Sequence, residues 1–396
     1  MTRGLKAYLT STALFLVPGG IQIVLFPYLV AVHLQESPTR VGMAQMAAQL
    51  PMLFLILWGG VVGDRFDQRK LLIGLQLGMM LPPLVIAALA SQDGLTYAVL
   101  IGWALVGGTF GAFAQPARDA LLNRIAGDEV QRVVILAIGV QYGVQILGFA
   151  IGSMASMTGV IPVLLAQSAV LLMATLATTR IPRATAPPPP RRAALAEMAD
   201  GIRIAWHSSA IRPAILQAFS VGIFFAGAYV VILPLMVRDI YDGTSRGIAA
   251  AFAANMLGTC TTVFWLMRRG GLERPGRALL IGSTISATVL SALTQELPMW
   301  AFYTVIYFWG MCGGISMTMS RGIVQEAAPA DARARLLSVY SLGFMGGMPL
   351  GSVLLGWCVE HLGPHNAVWV PVLGMLVVTA GLFLFTDLSK VARQGR

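Results

Sequence analysis

A charged stretch, GVVGDRFDQRK at residues 60–70, interrupts an otherwise apolar chain. Five of its seven residues from Asp64 to Lys70 carry a charge, whereas only 11% of the 396 residues are charged and 57% are hydrophobic. Soluble globular proteins carry about 25% charged residues. With a mean hydropathy of +0.75, the chain has too few polar groups to cover a soluble surface. We therefore predict an all-α integral membrane protein, in which this stretch forms a turn between two spans.

The apolar runs on either side of this stretch belong to a series of twelve. Each approaches the roughly 20 mostly apolar residues that a membrane-spanning helix requires. The first run is longer than the core of about 7–15 residues that a signal peptide has, and no cleavage site follows it. We predict helices at residues 10–34, 41–62, 70–90, 95–117, 130–153, 158–180, 213–236, 247–267, 277–294, 298–320, 334–356 and 366–386.

The basic residues divide unevenly between the two sides of the predicted membrane. Of the 27 lysines and arginines, 24 fall at the termini or in loops on their side, and only Arg40, Arg238 and Arg246 fall on the other. Loops that carry an excess of lysine and arginine stay in the cytoplasm. We therefore expect both termini to be cytoplasmic and the protein to lie in the inner (plasma) membrane. The same distribution explains the net charge of +10 without a nucleic-acid partner, which would require a basic face on a soluble domain.

A polar segment at residues 181–212 separates six predicted spans from the next six. We predict an N-terminal bundle at 1–180, a cytoplasmic linker at 181–212 and a C-terminal bundle at 213–396. Four consecutive prolines at 187–190 favour an extended conformation in the linker. The apolar residues of 193–209 recur at helical spacing, which predicts a short amphipathic helix at the inner membrane surface; a disordered linker is the alternative.

The two sets of six spans also resemble each other at an offset of 203 residues. The pairs that coincide are Arg118 with Arg321, Asp128 with Asp331, Arg132 with Arg335, and Gly148 with Gly351. All four lie in equivalent connections or spans, so a duplicated six-helix unit is the simplest explanation.

With twelve spans in two sets, the chain resembles the major facilitator superfamily, whose signature after the second helix is G-x-x-x-D-R-x-G-R-K. Gly60, Asp64 and Arg65 match it, the final basic pair follows one position late, and Asp67 replaces the glycine. Three segments are similar to the branch of enterobactin exporters and macrolide efflux proteins: GGVVGDRFDQRKLLI at 59–73, FAQPARDALLNRI at 113–125 and MPLGSVLLG at 348–356. The resemblance implies two pseudo-symmetric six-helix bundles and transport by alternating access.

We interpret the charged turn as a latch between helices on the cytoplasmic side. Asp64 ends the second span, where its carboxylate can lie beside the positive N-terminus of another helix. The resemblance suggests the start of the eleventh span, near Leu336, and Arg65 can pair with a carboxylate such as Asp119. The full set for the gate, with the arginines that the repeat adds, is Gly60, Asp64, Arg65, Arg69, Arg118, Asp119, Arg321 and Arg335. The alternative, favoured for the basic pair that ends the stretch, is that the cations only set topology.

The first, seventh and tenth predicted spans have no acidic or basic residue in their middle. Ionisable residues inside a membrane usually mark proton or ion sites. Their absence argues against a strongly charged substrate, and it leaves His33 and Glu36, near the outer end of the first span, as candidates for a proton site. The alternative for both is the edge of an outer loop.

The resemblance implies that the first, fourth, seventh and tenth spans line a central cavity. Their polar and aromatic residues are Gln22, Tyr28, Gln115, Gln217, Phe224, Phe225, Tyr229, Tyr303, Tyr307 and Trp309. Aromatic, amide and nearby methionine side chains suit bulky amphipathic molecules. Lipid contact or helix packing is the alternative for any single member.

These observations favour a secondary transporter that exports drug-like or siderophore-like amphipathic molecules, coupled to protons as an antiporter. A lipid or lysolipid flippase of the same fold and a solute importer remain open. The scattered histidines and the absence of metal-binding spacing argue against an enzyme, a metal site or a cofactor. We expect membrane lipids, the substrate and protons as partners, and a monomer.

Overall fold

The computed structural model describes residues 3–126, 130–182, 194–241, 243–269, 272–329 and 332–391. Within these ranges the chain is helical and contains no strand. We number sixteen α-helices and three π-helical segments in chain order. They are α1 Arg3–Pro27, π1 Tyr28–His33, α2 Pro38–Arg65, α3 Gln68–Ala90, α4 Tyr97–Ala126, α5 Val130–Gly152, α6 Ala155–Thr158, α7 Val160–Thr179, α8 Ala194–His207, α9 Ile211–Val221, π2 Gly222–Ala226, π3 Ala228–Ile232, α10 Leu233–Ile240, α11 Ser245–Arg269, α12 Pro275–Ser291, α13 Met299–Ala327, α14 Arg333–Leu362, α15 Pro364–Ala367 and α16 Trp369–Phe385. Short 3₁₀ turns follow α12 and α16.

Nine continuous helical stretches of the described chain are long and apolar enough to cross a membrane. The helices α2, α5 and α13, of 28, 23 and 29 residues, occupy the other three predicted spans. The all-helical membrane fold is therefore confirmed. Several helices run past the predicted ends of their spans, as α4 does to Ala126 and α14 does to Leu362. Hydropathy marks only the hydrocarbon part of such a helix, because its polar ends continue into water.

The chain divides into two compact units. The first contains residues 1–36, 47–194 and 243–249, and the second contains residues 37–46, 195–242 and 250–396. Each unit therefore includes a short segment of the other predicted bundle, namely the first turns of α2 in the second unit and of α11 in the first.

In the first unit, α1 packs against α5 and α7, and α3 packs against α4 and α7. The contact between α1 and α5 requires glycine. A Cβ atom at Gly148 would lie 2.6 Å from the carbonyl oxygen of Val17, and one at Gly20 would lie 2.8 Å from that of Gln145. Small residues of this kind let helix backbones approach closely in a membrane.

In the second unit, α9 and π2 pack against α14 in the same way. A Cβ atom at Gly351 would collide with the carbonyl oxygen of Ile223. Gly351 is the residue that the 203-residue offset pairs with Gly148. The two glycines therefore have the same role. Gly148 lets the fifth span touch the first, and Gly351 lets the eleventh span touch the seventh.

The linker contains the predicted helix, which is α8. Its apolar residues do not all share one environment. Met198, Gly201 and Ala205 pack against the base of α14, where a Cβ atom at Gly201 would lie 3.1 Å from Val339, whereas Ile202 and Trp206 are exposed. The prolines at 187–190 lie outside the described residues.

Candidate gates and substrate-facing residues

The charged turn connects α2 to α3, and Asp67 begins the second of these helices. Its carboxylate accepts hydrogen bonds from the backbone N–H groups of Arg69 at 2.9 Å and Lys70 at 3.1 Å. This is the geometry of a helix N-cap, which satisfies N–H groups that have no partner within the helix. The departure from the family signature at this position thus has a local physical reason, since aspartate caps a helix and glycine has no side chain to do so.

Arg69 connects the start of α3 to the end of α7 within the first unit. Its Nε donates to the carbonyl oxygen of Thr178 at 3.3 Å, and its Nη2 donates to that of Thr179. The last carbonyls of a helix lack partners and carry partial negative charge, so a guanidinium stabilises them. Arg69 therefore has a structural contact besides any effect of its charge on topology.

A second guanidinium, which the sequence reasoning did not single out, lies at the same place. Arg124, in the last turn of α4, donates to the side-chain oxygen of Gln68 at 3.3 Å and to the carbonyl oxygen of Pro182 at 3.2 Å. We call Arg69 and Arg124 the basic cluster. In the sequence, Arg124 was marked only as a basic residue beyond the predicted end of the fourth span at residue 117.

The other predicted gate residues have separate surroundings. The carbonyl oxygen of Arg118 accepts a hydrogen bond from Tyr8 at 3.2 Å, and the guanidinium lies 5.8 Å from the ring of Phe15. Asp119 is exposed. For three residues of this set, the surroundings lie outside the described part of the structure, namely Gly60, Asp64 and Arg65. The same holds for Asp128, Arg132 and Asp331 of the repeat.

In the second unit, Arg321 is exposed and Arg335 contacts the linker helix. Arg335 Nη1 lies 3.8 Å from a carboxylate oxygen of Asp200 in α8. Both side chains are partly exposed, so the pair contributes at most about 1 kcal/mol. The arrangement nevertheless places a predicted gate residue in contact with the linker.

Four of the ten predicted cavity residues lie on π-helical segments. Tyr28 begins π1, Phe224 and Phe225 lie in π2, and Tyr229 lies in π3. π-Helical turns inside α-helices often occur at functional sites. The first and seventh spans therefore share an irregular backbone next to their aromatic residues.

Three of the ten predicted cavity residues are nevertheless packed inside the second unit. Gln217 is fully buried and donates to Ser283 at 2.6 Å. Phe225 and Trp309 are also buried and contact each other edge to face, with ring centroids 5.8 Å apart. These three side chains offer no surface to a ligand in this conformation. Sequence reasoning could not separate them from cavity residues because a polar or aromatic residue has the same identity in either place.

The remaining predicted cavity residues keep some accessible surface. Tyr28, Phe224, Tyr229, Tyr303, Tyr307 and Gln22 are half-buried, and Gln115 is exposed. Gln22 lies against α4, since a Cβ atom at Gly107 would be 3.3 Å from its amide nitrogen. The hydroxyl of Tyr307 donates to Thr261 at 3.0 Å.

Two contacts at the opposite end of the spans from the N-terminus were not anticipated. In the second unit, Glu360 near the end of α14 accepts a hydrogen bond from the backbone N–H of Thr39 at 2.9 Å. In the first unit, Ser245 at the start of α11 accepts from the N–H of Ser156 at 2.9 Å and donates to the carbonyl oxygen of Ser153 at 2.8 Å. In the first contact, Glu360 near the end of α14 satisfies an N–H group at the start of α2. In the second, Ser245 at the start of α11 satisfies an N–H group at the start of α6 and a carbonyl group just after α5.

The predicted proton site, His33 and Glu36, lies a few residues before Thr39 in the sequence. His33 ends π1 and is exposed, and the backbone N–H of Glu36 donates to Val30 at 3.2 Å. In the described part of the chain, no cluster of three or more histidine, cysteine or acidic residues could hold a metal ion.

The sequence matches one family across nearly its whole length. The family described as transmembrane secretion effector matches residues 19–394. The chain belongs to this family of the major facilitator superfamily. In sequence, the chain is similar to the multidrug efflux pump Tap of Mycolicibacterium fortuitum, to which it is 26% identical over 394 residues, or 94% of each chain.

Enterobactin exporter EntS of Salmonella typhimurium is 23% identical over 363 residues, which cover 90% of this chain and 86% of EntS. Among solved structures, a mutant of the nucleoside transporter NupG superposes with a TM-score of 0.74 over 96% of this chain and 99% of its own, at 12% identity. The likeness to NupG establishes the fold. This family member is therefore a multi-pass membrane transporter.

Proposed function

We propose that the protein exports amphipathic organic molecules of the drug or siderophore type. The observation that carries the proposal is the match over nearly the full length to two relatives named as exporters, Tap and EntS. The predicted cavity residues that keep accessible surface agree with this proposal. Half-buried tyrosines and Phe224 lie beside irregular backbone in the first and seventh spans, and aromatic walls with few polar groups suit such molecules.

In the described part of the chain no charged residue is buried, which supports an uncharged or weakly charged substrate. The buried polar residues of the described chain are serines, threonines and glutamines. A strongly charged substrate would need a buried counter-ion, because desolvating an isolated charge in a membrane is costly. Recognition by ring contact and single hydrogen bonds, as the Tyr303 and Tyr307 side chains could provide, tolerates substrates of different shapes.

Alternating access would use contacts at both ends of the spans. Asp64 in the last turn of α2 remains the proposed inner latch, with Arg65, Asp119 and the repeat-related arginines. The hydrogen bonds of Glu360 and Ser245 would form the corresponding outer contacts. Several such contacts acting together can bias two conformations that differ by a few kcal/mol.

Proton coupling would use His33 and Glu36, near the outer end of the first span. His33 ends π1 and is exposed, and Glu36 lies three residues further on. Exchange of substrate for protons would make the protein an antiporter, with both termini in the cytoplasm.

Flux into inside-out proteoliposomes, with and without an imposed pH gradient, tests the proposal. The probes are a fluorescent amphipathic dye, a macrolide, a catecholate siderophore and a labelled lysolipid. We expect gradient-driven uptake of at least one of the first three. Phe224→Ala should change the apparent affinity, whereas Phe383→Ala, on an exposed face of α16, should not. Movement of the lysolipid alone would indicate a flippase, and movement only in the opposite direction would indicate an importer.

A further inference from the structure

The basic cluster joins the ends of three spans in the first unit. Arg69 lies in the first turn of α3, Arg124 in the last turn of α4, and both donate to carbonyl oxygens at or just after the end of α7. The candidate span of α3 begins at Gln68, and those of α4 and α7 end at Leu122 and Thr179. Two guanidinium groups therefore converge at the level where the hydrocarbon region of a membrane gives way to headgroups.

None of the described residues around this cluster neutralises its charge. The acceptors of both guanidiniums are neutral, namely three backbone carbonyls and the Gln68 amide. Among the described residues, neither guanidinium has a carboxylate within 4.0 Å. The carboxylate of Asp67 is directed at backbone N–H groups instead. Positive charge is thus in excess.

Each guanidinium has donors to spare. An arginine has five N–H donors in a planar fork, and each member of the cluster uses two of them within the chain. The remaining donors suit the oxygens of a phosphate, which arginine binds in a bidentate manner. Lys70 and Arg180, adjacent in sequence to the cluster and its acceptors, are exposed and add further positive charge.

Apolar side chains extend from the cluster along the spans. Leu77 and Leu81 on α3 and Leu172 and Leu176 on α7 are exposed, and these two helices pack against each other along their length. Such faces contact lipid acyl chains. A molecule with a phosphate at the cluster would therefore meet an apolar surface directly beside it.

We propose that the basic cluster binds the phosphate headgroup of an anionic phospholipid, with the acyl chains lying over the exposed faces of α3 and α7. The position at three span ends and the adjoining apolar surface favour a lipid over a free anion. The bound phosphate would bridge the ends of α3 and α4, both of which already contact the end of α7. Anionic lipid would then stabilise the first unit beyond the general attraction of basic loops to the inner leaflet.

Lipid titrations of the purified full-length protein in detergent test this site. Phosphatidylglycerol, phosphatidylcholine and inorganic phosphate are added separately, and both the thermal unfolding midpoint and bound lipid, by native mass spectrometry, are measured. We expect phosphatidylglycerol alone to raise the midpoint and to remain bound. Arg69→Gln and Arg124→Gln should each weaken its binding about tenfold, the loss expected for one charge-assisted hydrogen bond.

The matched control is the pair Arg268→Gln and Arg269→Gln at the end of α11. These guanidiniums stack over Phe264 and Trp265, at 4.4 and 5.1 Å from the ring centroids, so their loss removes equal charge elsewhere. Unchanged phosphatidylglycerol binding in Arg124→Gln, or equal weakening in the control, would overturn the proposal. An equal response to inorganic phosphate would replace the lipid by a free anion. If Arg69→Gln does not fold, Arg124→Gln and Arg124→Lys decide, since lysine keeps the charge but loses the fork.

Discussion

The two units contain comparable polar junctions, but only the first unit's junction is complete. There, the hydroxyl of Thr178 on α7 donates to Gln76 on α3 at 2.9 Å and shares a hydrogen bond of 2.5 Å with Ser11 on α1. The first, third and sixth spans are thus joined by groups that satisfy one another. Fully satisfied polar networks rigidify a packed interior.

The junction of the second unit joins the seventh, ninth and tenth spans. Gln217 on α9 donates to Ser283 on α12, and Ser283 lies 3.4 Å from Ser316 on α13. Among the described residues, the side-chain oxygens of Gln217, Ser286 and Thr379 are buried without a hydrogen-bond partner, and so are those of Gln49 and Gln167 in the first unit. An unsatisfied buried group costs about 1–3 kcal/mol. Because the Gln217 oxygen belongs to the second junction itself, whereas Gln49 and Gln167 lie outside the Thr178 network, the two junctions differ in completeness.

The largest expected effect concerns the glycine contacts that the two units share. Gly351→Ala should lower the free energy of unfolding by about 3 kcal/mol and Gly148→Ala by about 1–2 kcal/mol, because backbone atoms cannot move aside as side chains can. Thermal or denaturant unfolding in detergent measures both. Gly139→Ala is the control, since nothing lies within 4 Å of its Cβ position. Equal tolerance at all three positions would contradict the packing described for the repeat.

Replacing a junction glutamine by leucine should change the free energy of unfolding by different amounts in the two units. Gln76→Leu should lower the free energy of unfolding by about 1–3 kcal/mol, because it removes an acceptor from a complete network. Gln217→Leu should cost less than about 1 kcal/mol, because it also removes a buried oxygen that has no partner. Unfolding measurements on the two variants give the comparison directly. A larger loss for Gln217→Leu would mean that the second junction is satisfied in the membrane.

The cap of α3 predicts an intermediate effect in the first unit. Asp67→Ala should lower the free energy of unfolding by about 1 kcal/mol, and Asp67→Asn should lower it by much less because asparagine is an equally good cap. The same unfolding assay distinguishes them. If alanine and asparagine are equivalent, the carboxylate does not act as a cap.

The contacts of Glu360 and Ser245 predict the smallest effect. In a variant without its native cysteines and with the buried Val41→Cys as the label, Glu360→Ala should increase thiol labelling about 2-fold, since a carboxylate near a helix N-terminus stabilises that helix end. The increase should shrink at high salt. With the label placed at the buried Ala155→Cys instead, Ser245→Ala should give an increase that salt does not change. A salt effect of equal size in both variants would contradict the electrostatic difference between the two contacts.

Much of the fold was predictable because long apolar runs, basic loops and a constant offset are properties of the sequence itself. Gly148 and Gly351 could be paired before their contacts were known. The roles of Asp67 and Arg69 could not, since a cap and a carbonyl contact depend on where α3 begins and where α7 ends. Gln217 was expected in the cavity because composition does not distinguish a residue that faces a cavity from one that faces a neighbouring helix.

Glu360 and Arg124 were missed for a related reason. Each contacts a segment more than 50 residues away in the chain, and no local pattern marks such a contact. The interpretation of Asp64 as a latch rests on the sequence signature and on its place in the last turn of α2.

Transport by Asp64→Asn and Asp67→Asn, measured side by side in proteoliposomes, tests the central claim most directly. The two variants remove the same charge three residues apart in one turn. We predict that Asp64→Asn loses most of the gradient-driven flux while inserting normally, because its charge acts in the gate. Asp67→Asn should transport at close to the wild-type rate, because it keeps the cap. Normal flux through correctly inserted Asp64→Asn protein, or an equal loss in both variants, would contradict a gate at this turn.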